Sequence, residues 1–286
     1  MKGIYCILSF VCLLSFTAVK GQVAIEPTPG IGARMVGMGN AYVAVRGDIW
    51  QAFLNPAGLP GARSLEVGTY VEQRFFLREL TNGSAGLVYP LATNQAVGVA
   101  ISSRGFAGYR QNMAGFSYGI TLLKKLSLGA RLNLANLSVP NYGSAASIFA
   151  DFGVQYQFNR QITLGASLYN VNQAAISNLT GERLLLPTIL SAGISYRPSS
   201  ELIIVADVVK QVDFPASFRG GVEYEINELI FARIGVATEP LMLNLGAGIK
   251  WHSLKVDFAM SYTELLGYTP HFSLQYAIGN KAEDLD

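Results

Sequence analysis

Beyond residue 12 the chain contains no cysteine, and over its whole length it has two histidines. Both cysteines, Cys6 and Cys12, fall in a leading apolar stretch. Downstream of that stretch, disulfides, thiol catalysis and cysteine-ligated metals are excluded. Charge is scarce as well. Only 14% of residues are Asp, Glu, Lys or Arg, where a soluble domain carries about 25%. Long apolar runs are also missing. After the first twenty residues nothing approaches the ~18 consecutive apolar residues of a membrane helix; even 202–209 is interrupted by Asp207. Yet 50% of the chain is hydrophobic and its mean hydropathy is +0.31. A chain apolar on average and never apolar for long has the composition of a transmembrane β-barrel.

Residues 1–21 read as a secretory signal peptide: Lys2 at the start, an apolar core over 4–16, and Val19-Lys20-Gly21 as the small-residue cleavage site. Tyr5-Cys6 and Val11-Cys12 do not resemble a lipobox. Removing the leader takes Lys2 and Lys20 with it, so the remainder has 19 basic and 19 acidic residues. Zero net charge argues against a nucleic-acid partner.

From Ser64 onward, apolar and small or polar residues alternate. In 125–136, Leu126, Leu128, Ala130, Leu132 and Leu134 oppose Ser127, Gly129, Arg131 and Asn133. Leu254, Val256, Phe258, Met260 and Tyr262 likewise oppose Lys255, Asp257 and Ser261. Period two is the mark of strands with one apolar face. Fourteen such segments are expected, at 64–75, 83–91, 95–104, 108–122, 125–138, 146–158, 161–171, 185–197, 201–211, 215–226, 228–237, 240–251, 253–264 and 269–279. Every second connection is a tight turn, and most of the others are longer, as at 77–82, 140–143, 172–183 and 265–268. Outer-membrane barrels place short turns on the periplasmic side, so fourteen strands leave both mature ends there. The expected class is all-β: a 14-stranded antiparallel barrel over 63–280 in the bacterial outer membrane, with a short acidic tail at 281–286. A soluble sandwich would bear roughly twice this charge. Aromatics on the apolar parity, among them Tyr118, Tyr156, Tyr196, Tyr224, Trp251 and Tyr276, cluster near the tight turns, as an interfacial girdle does.

Residues 22–62 break the alternation. Glycines recur on the inward parity near the short turns: Gly98, Gly119, Gly129, Gly153, Gly165, Gly193, Gly221 and Gly248. They either make room for 22–62 as a hatch inside the barrel or permit curvature of the wall. Both signs of charge share the inward parity, including Arg131, Asp151, Asp207, Arg219, Glu223, Lys255 and Asp257. Together with Arg34, Arg46 and Asp48 they suit a salt-bridged lining better than an ion-selective pore.

Several motifs lead nowhere. Gly115-Phe116-Ser117-Tyr118-Gly119 matches the nucleophile-elbow pattern but lies within an alternating strand, not a strand-to-helix turn. His252 sits in a turn. His271 neighbours Ser273 closely in sequence, yet a catalytic dyad is not expected from that pair. Gly30-x-Gly32 and Gly37-x-Gly39 lack the βαβ unit of a dinucleotide loop. No enzyme, cofactor or metal is expected.

Residues 30–45, running Gly-Ile-Gly-Ala-Arg-Met-Val-Gly-Met-Gly-Asn-Ala-Tyr-Val-Ala-Val, are followed by Asp48 and by Phe53-Leu54-Asn55-Pro56-Ala57-Gly58-Leu59. This stretch resembles the N-terminal signature of the FadL-type outer-membrane barrels and their PorV and PorQ relatives in Bacteroidota. The resemblance implies fourteen strands with an N-terminal hatch whose core is Gly32, Arg34, Gly37, Gly39, Asn55, Pro56 and Ala57. It offers two functions. One is a non-enzymatic accessory barrel, binding protein partners in a type IX-like secretion or envelope machine. The other is passive transport of a small hydrophobic compound through a tunnel lined by Met35, Met38, Val43, Val88 and Met242. The loops are short beside those of the fatty-acid transporters, which puts the accessory role first in expectation.

Overall fold

The computed structural model describes residues 31–141, 143–177 and 183–279. The expected signal peptide, the first part of the expected hatch (22–30) and the acidic tail lie outside the described residues. Among the described residues the strands are β1 (Leu65–Gln73), β2 (Thr81–Ala92), β3 (Gln95–Phe106), β4 (Tyr109–Leu122), β5 (Leu126–Val139), β6 (Gly143–Gln157), β7 (Ile162–Tyr169), β8 (Ala175–Ser177), β9 (Arg183–Leu185), β10 (Ile189–Tyr196), β11 (Leu202–Gln211), β12 (Ser217–Asn227), β13 (Ile230–Thr238), β14 (Leu241–Trp251), β15 (Leu254–Thr263) and β16 (Gly267–Ile278). Fourteen of them form one closed antiparallel barrel, each beside its neighbour in sequence, with β16 returning to β1 and β7 paired to β10. Closure satisfies every strand edge, as a hydrocarbon surrounding requires.

β8 and β9 form a separate hairpin in the loop between β7 and β10. The strand expected at 185–197 therefore begins later, at Ile189. Pro187 explains the delay, because it has no N–H to give a ladder. Two connections at the long-loop end, 107–108 and 239–240, are as short as the turns opposite.

The alternation sorts faces as expected. Phe116, Leu132, Phe152, Tyr224, Trp251 and Tyr276 point outward and are exposed, while Ser117, Arg131, Asn133, Asp151 and Asp257 point inward and are buried. On β5 the outward apolar positions run from Leu126 to Leu134. That is about 27 Å along the strand at ~3.4 Å per residue, or roughly 21 Å along the barrel normal at a ~40° tilt. The band matches the hydrocarbon height that outer-membrane barrels present.

The buried core lies in the lumen. In residues 31–62, all but Asn40, Arg46, Gly47, Leu54 and Gly61 are buried. The segment holds one short helix, α1 (Ala33–Gly37), and two 3-10 turns, Ile49–Ala52 and Pro56–Gly61. Asp48 and Asn55 cap these turns, accepting from the backbone N–H of Trp50 and Ala57. Neither element is long enough to be stable alone. They hold their shape because Trp50, Phe53, Ile49 and Met35 pack against Tyr70, Val88, Ala96 and Ala100 of the wall.

Candidate functional site

The short-turn half of the lumen is built around missing side chains. A Cβ on Gly129 would collide with the main chain at Pro56 and Ala57, and one on Gly119 with Pro56 and Pro60. Gly153 faces the Asn55 carboxamide, Gly165 faces Val43 and Ala44, Gly221 faces Met38, and a Cβ on Gly98 would meet Ala52 Cβ at 3.0 Å. Six of the eight expected glycines thus admit the N-terminal segment. The other two do not. Gly193 makes room for Asp207, and Gly248 for Asp257 and Arg233. Gly235, which the alternation also places inward, abuts Met38 and Gly39. A Cβ on Gly246 would come within 3.0 Å of Gly37 Cα.

Within the segment, Gly32 and Gly39 have φ of +105° and +70°. Any side chain is disfavoured there, and a Cβ on Gly32 would enter the Trp50 ring. Gly37 packs against Arg233 and Gly246. Asn55 Nδ2 donates to Val43 O at 2.8 Å and to Ala166 O of β7 at 3.3 Å, stapling the segment to the wall. Pro56 and Ala57 form the surface that meets Gly119 and Gly129.

The inward charges form two main groups. Arg34 grips Glu223 bidentately, Nε to Oε2 at 2.8 Å and Nη2 to Oε1 at 2.6 Å. Its Nη1 reaches Asp48 at 2.7 Å and Tyr42 at 3.0 Å. Glu223 also pairs with Arg233, which reaches Asp257 at 2.8 Å. The chain Asp48–Arg34–Glu223–Arg233–Asp257 therefore ties α1 to three strands of the wall. In the second group Arg131 pairs with Asp151 at 2.6 Å and donates to Ala52 O at 2.8 Å. Asp207 is held by backbone rather than by a cation, accepting from Tyr42 N at 2.6 Å and Val43 N at 2.9 Å. Arg219 sits beside it on β12 and is half-buried. Lys255 lies 5.7 Å from the centre of the Phe231 ring. Ser117, the serine of the false nucleophile elbow, donates to Ala52 O at 3.2 Å.

The tunnel expected along Met35, Met38, Val43 and Val88 is absent as drawn. All four are at most 5% exposed, because they form the packing surface between segment and wall. Met242 alone of that set is half-buried.

An apolar surface instead faces the lumen in the long-loop half. Met113, Ala135, Leu137 and Phe149, on the inward faces of β4, β5 and β6, pack with Ile176 and Leu186 from the loop after β7. Tyr169 closes one side, its ring edge-on to Phe149 at 4.9 Å. The alternation places these residues inward but cannot show that loop side chains complete the cluster. The loop takes its place because β7 is short. β6 pairs with β7 only from Phe152 to Gln157. Above that, Ala150 O accepts from Val171 N at 2.9 Å, and Asn172 brackets the same stretch of β6. Asn170, fully buried, anchors the loop: it accepts from Ala174 N at 2.9 Å and donates to Leu186 O at 3.0 Å. Its own N–H donates to Asp151 at 2.8 Å. Asn170→Ala should cost about 1–3 kcal/mol through the orphaned groups. Amide exchange is expected to rise across 170–177 and stay unchanged in β4 and β5; uniform exchange would refute the anchoring role.

His271 is the last surprise. Its Nε2 lies 3.0 Å from Ser261 Oγ and its Nδ1 3.4 Å from Glu72 Oε2. Ser273, its neighbour in sequence, instead accepts from Ala33 N at 3.3 Å.

No protein-family model matches the chain, and no curated protein matches its sequence. Solved structures do match in fold. The toluene transporter TbuX of Ralstonia pickettii shares a TM-score of 0.67 at 15% identity, over 88% of this chain and 99% of that one. The CymD monoaromatic hydrocarbon channel gives 0.63 at 16% identity, over 87% and 98%. A FadL homologue of Pseudomonas aeruginosa gives 0.62 at 13% identity, over 88% and 99%. The first two are described as a transporter and a channel. At such identities they show a shared barrel fold.

Proposed function

We propose that the protein is an outer-membrane conduit for small apolar compounds, with residues 22–62 as its hatch and both chain ends in the periplasm. The observation that carries this is the inward apolar cluster of Met113, Leu137 and Phe149. Lumen-facing positions of a water-filled pore are polar, so an apolar patch there has a different use. Ile176 and Leu186 of the loop after β7 cover it, so a compound entering from the long-loop side takes their place on that surface and leaves water there, at about 25 cal/mol per Å² buried. Below it lies the hatch, whose ion-pair chain closes the short-turn half to water and ions. The hydrocarbon channel and toluene transporter named above share the barrel fold, which supports the reading. The accessory role in secretion finds no support in the geometry or in the comparisons.

Purified barrel in detergent micelles is expected to quench or enhance an apolar fluorophore such as N-phenylnaphthylamine saturably. Phe149→Ser with Leu137→Ser should weaken that binding about tenfold, the loss of roughly 1.4 kcal/mol of apolar contact. Non-saturable partitioning, identical in wild type and variant, would sink the proposal.

A further inference from the structure

The outward face of the wall is uneven along its long-loop edge. On β14 to β16 the outward positions nearest that edge are large and apolar or aromatic: Leu241, Leu243, Tyr262 and Tyr268, with the two tyrosine ring centres 4.9 Å apart. That is the composition of an interfacial girdle. Across β3 to β5 it is interrupted. Ser103, Asn112 and Asn136 stand in one outward cross-strand row, and Ile101, Ala114 and Leu134 in the outward row below. Gly83 of β2 continues the upper row beside Ser103, and a Cβ there would meet nothing within 4 Å. The missing bulk leaves a groove of about 640 Å³ on the membrane-facing side of these strands.

The groove is graded along the membrane normal. Its lower part is apolar, from Ile101, Ala114 and Leu134. One step towards the long loops come the hydroxyl of Ser103 and the amides of Asn112 and Asn136. One step further Arg110, exposed, is the last outward side chain of β4 before the turn at 107–108. Each step is two residues, roughly 5 Å along the normal at ~3.4 Å per residue and a ~40° tilt. Ser103 Oγ donates to Asn112 Oδ1 at 2.8 Å, which leaves Asn112 Nδ2 as a donor. Among the described residues that Nδ2 has no acceptor, and Arg110 has no carboxylate. Amides at the edge of hydrocarbon are costly without a hydrogen-bond partner, so this row calls for one.

A membrane lipid carries the same three zones in the same order: acyl chain, ester or amide linkage, phosphate. We propose that the groove binds one phosphorylated acyl lipid of the leaflet on the long-loop side. Its chain lies on Ala114 and Leu134, a linkage carbonyl accepts from Asn112 Nδ2, and its phosphate pairs with Arg110. A guanidinium donates two parallel hydrogen bonds to a phosphate, which selects an anionic lipid over a neutral one. The site is on the outer wall and independent of any conduit through the lumen.

Native mass spectrometry of the folded barrel in a mild detergent, titrated with phosphatidylglycerol, tests the site. Wild type should retain one lipid. Diacylglycerol of the same chains, and inorganic phosphate, should each bind roughly tenfold or more weakly, since each meets only part of the groove. Arg110→Gln should weaken phosphatidylglycerol about tenfold and leave diacylglycerol unchanged. Ala114→Trp, which fills the groove, should weaken both. Ala247→Trp, at an exposed outward alanine of β14, should bind as wild type. Heat-modifiable gel migration shows that each variant is folded. Equal retention of phosphatidylglycerol by wild type, Arg110→Gln and Ala114→Trp would overturn the site. So would lipid-free dimers that Ala114→Trp alone breaks apart, which would make the groove a contact between two copies of the chain.

Discussion

Gly129→Leu is expected to unseat the N-terminal segment while leaving the barrel wall intact. Gly129 is on the inward face of β5, and the first carbon of any side chain there would overlap the main chain at Pro56 and Ala57. A flexible side chain could move aside. The Pro56–Gly61 turn cannot, because it is wedged between the wall and Gln51 and touches five successive strands. Overpacking a dense interior costs about 1–3 kcal/mol, and here the branched side chain meets backbone, which places the variant at the upper end. The outward face of β5 is unchanged, so membrane insertion and heat-modifiable migration should persist. Amide exchange across 31–62 should rise at least tenfold, and cells should become sensitive to hydrophilic antibiotics too large for the closed barrel. Wild-type exchange together with wild-type resistance would show that the glycines serve curvature alone. Gly83→Ala provides the contrast, since nothing lies within 4 Å of a Cβ built there.

Arg34→Met should be the most destabilising single change in the segment. Arg34 is 8% exposed and its guanidinium satisfies Glu223, Asp48 and Tyr42 together. Removing one partner of a buried pair costs about 3–5 kcal/mol, because the remaining charge stays out of water. After the change Glu223 keeps Arg233, while Asp48 keeps Tyr42 OH at 2.6 Å and Trp50 N at 3.0 Å. The loss should therefore fall on the attachment of α1 rather than on β12. Protease accessibility at 31–62, measured in micelles, should increase sharply. Arg34→Lys should fall between, since an ammonium keeps the charge but not the bidentate fork. Equal protection of the methionine and lysine variants, both at the wild-type level, would show that the ion-pair chain does not hold the segment.

The wall was legible from local pattern. Period two over 125–136 predicts that Leu128, Ala130 and Leu132 face one way and Gly129 and Arg131 the other, and the barrel places them so. The end of 161–171 and the start of 185–197 depart from the alternation for one reason. Pro187 and the buried Asn170 turn the intervening chain inward as a hairpin-bearing loop, a tertiary choice that alternation does not encode. The segment's own caps, Asp48 and Asn55, follow from short-range chemistry. Its partners do not. Nothing in the order of residues joins Arg34 to Glu223, 189 positions away.

What the sequence by itself determined is therefore the fold class, the facing of each strand and the presence of a distinct N-terminal segment, because each rests on spacing within a few residues. Only the tertiary structure decided how the lumen is filled: six of eight glycines against the segment and two against wall charges, Met35 and Val88 in packing rather than in a tunnel, an apolar cluster completed by Ile176 and Leu186. Ser261, His271 and Glu72 make the reason plain. They lie on β15, β16 and β1, and they meet only because the last strand closes on the first. Alternation states which side of the sheet a residue occupies; closure alone states what it finds there.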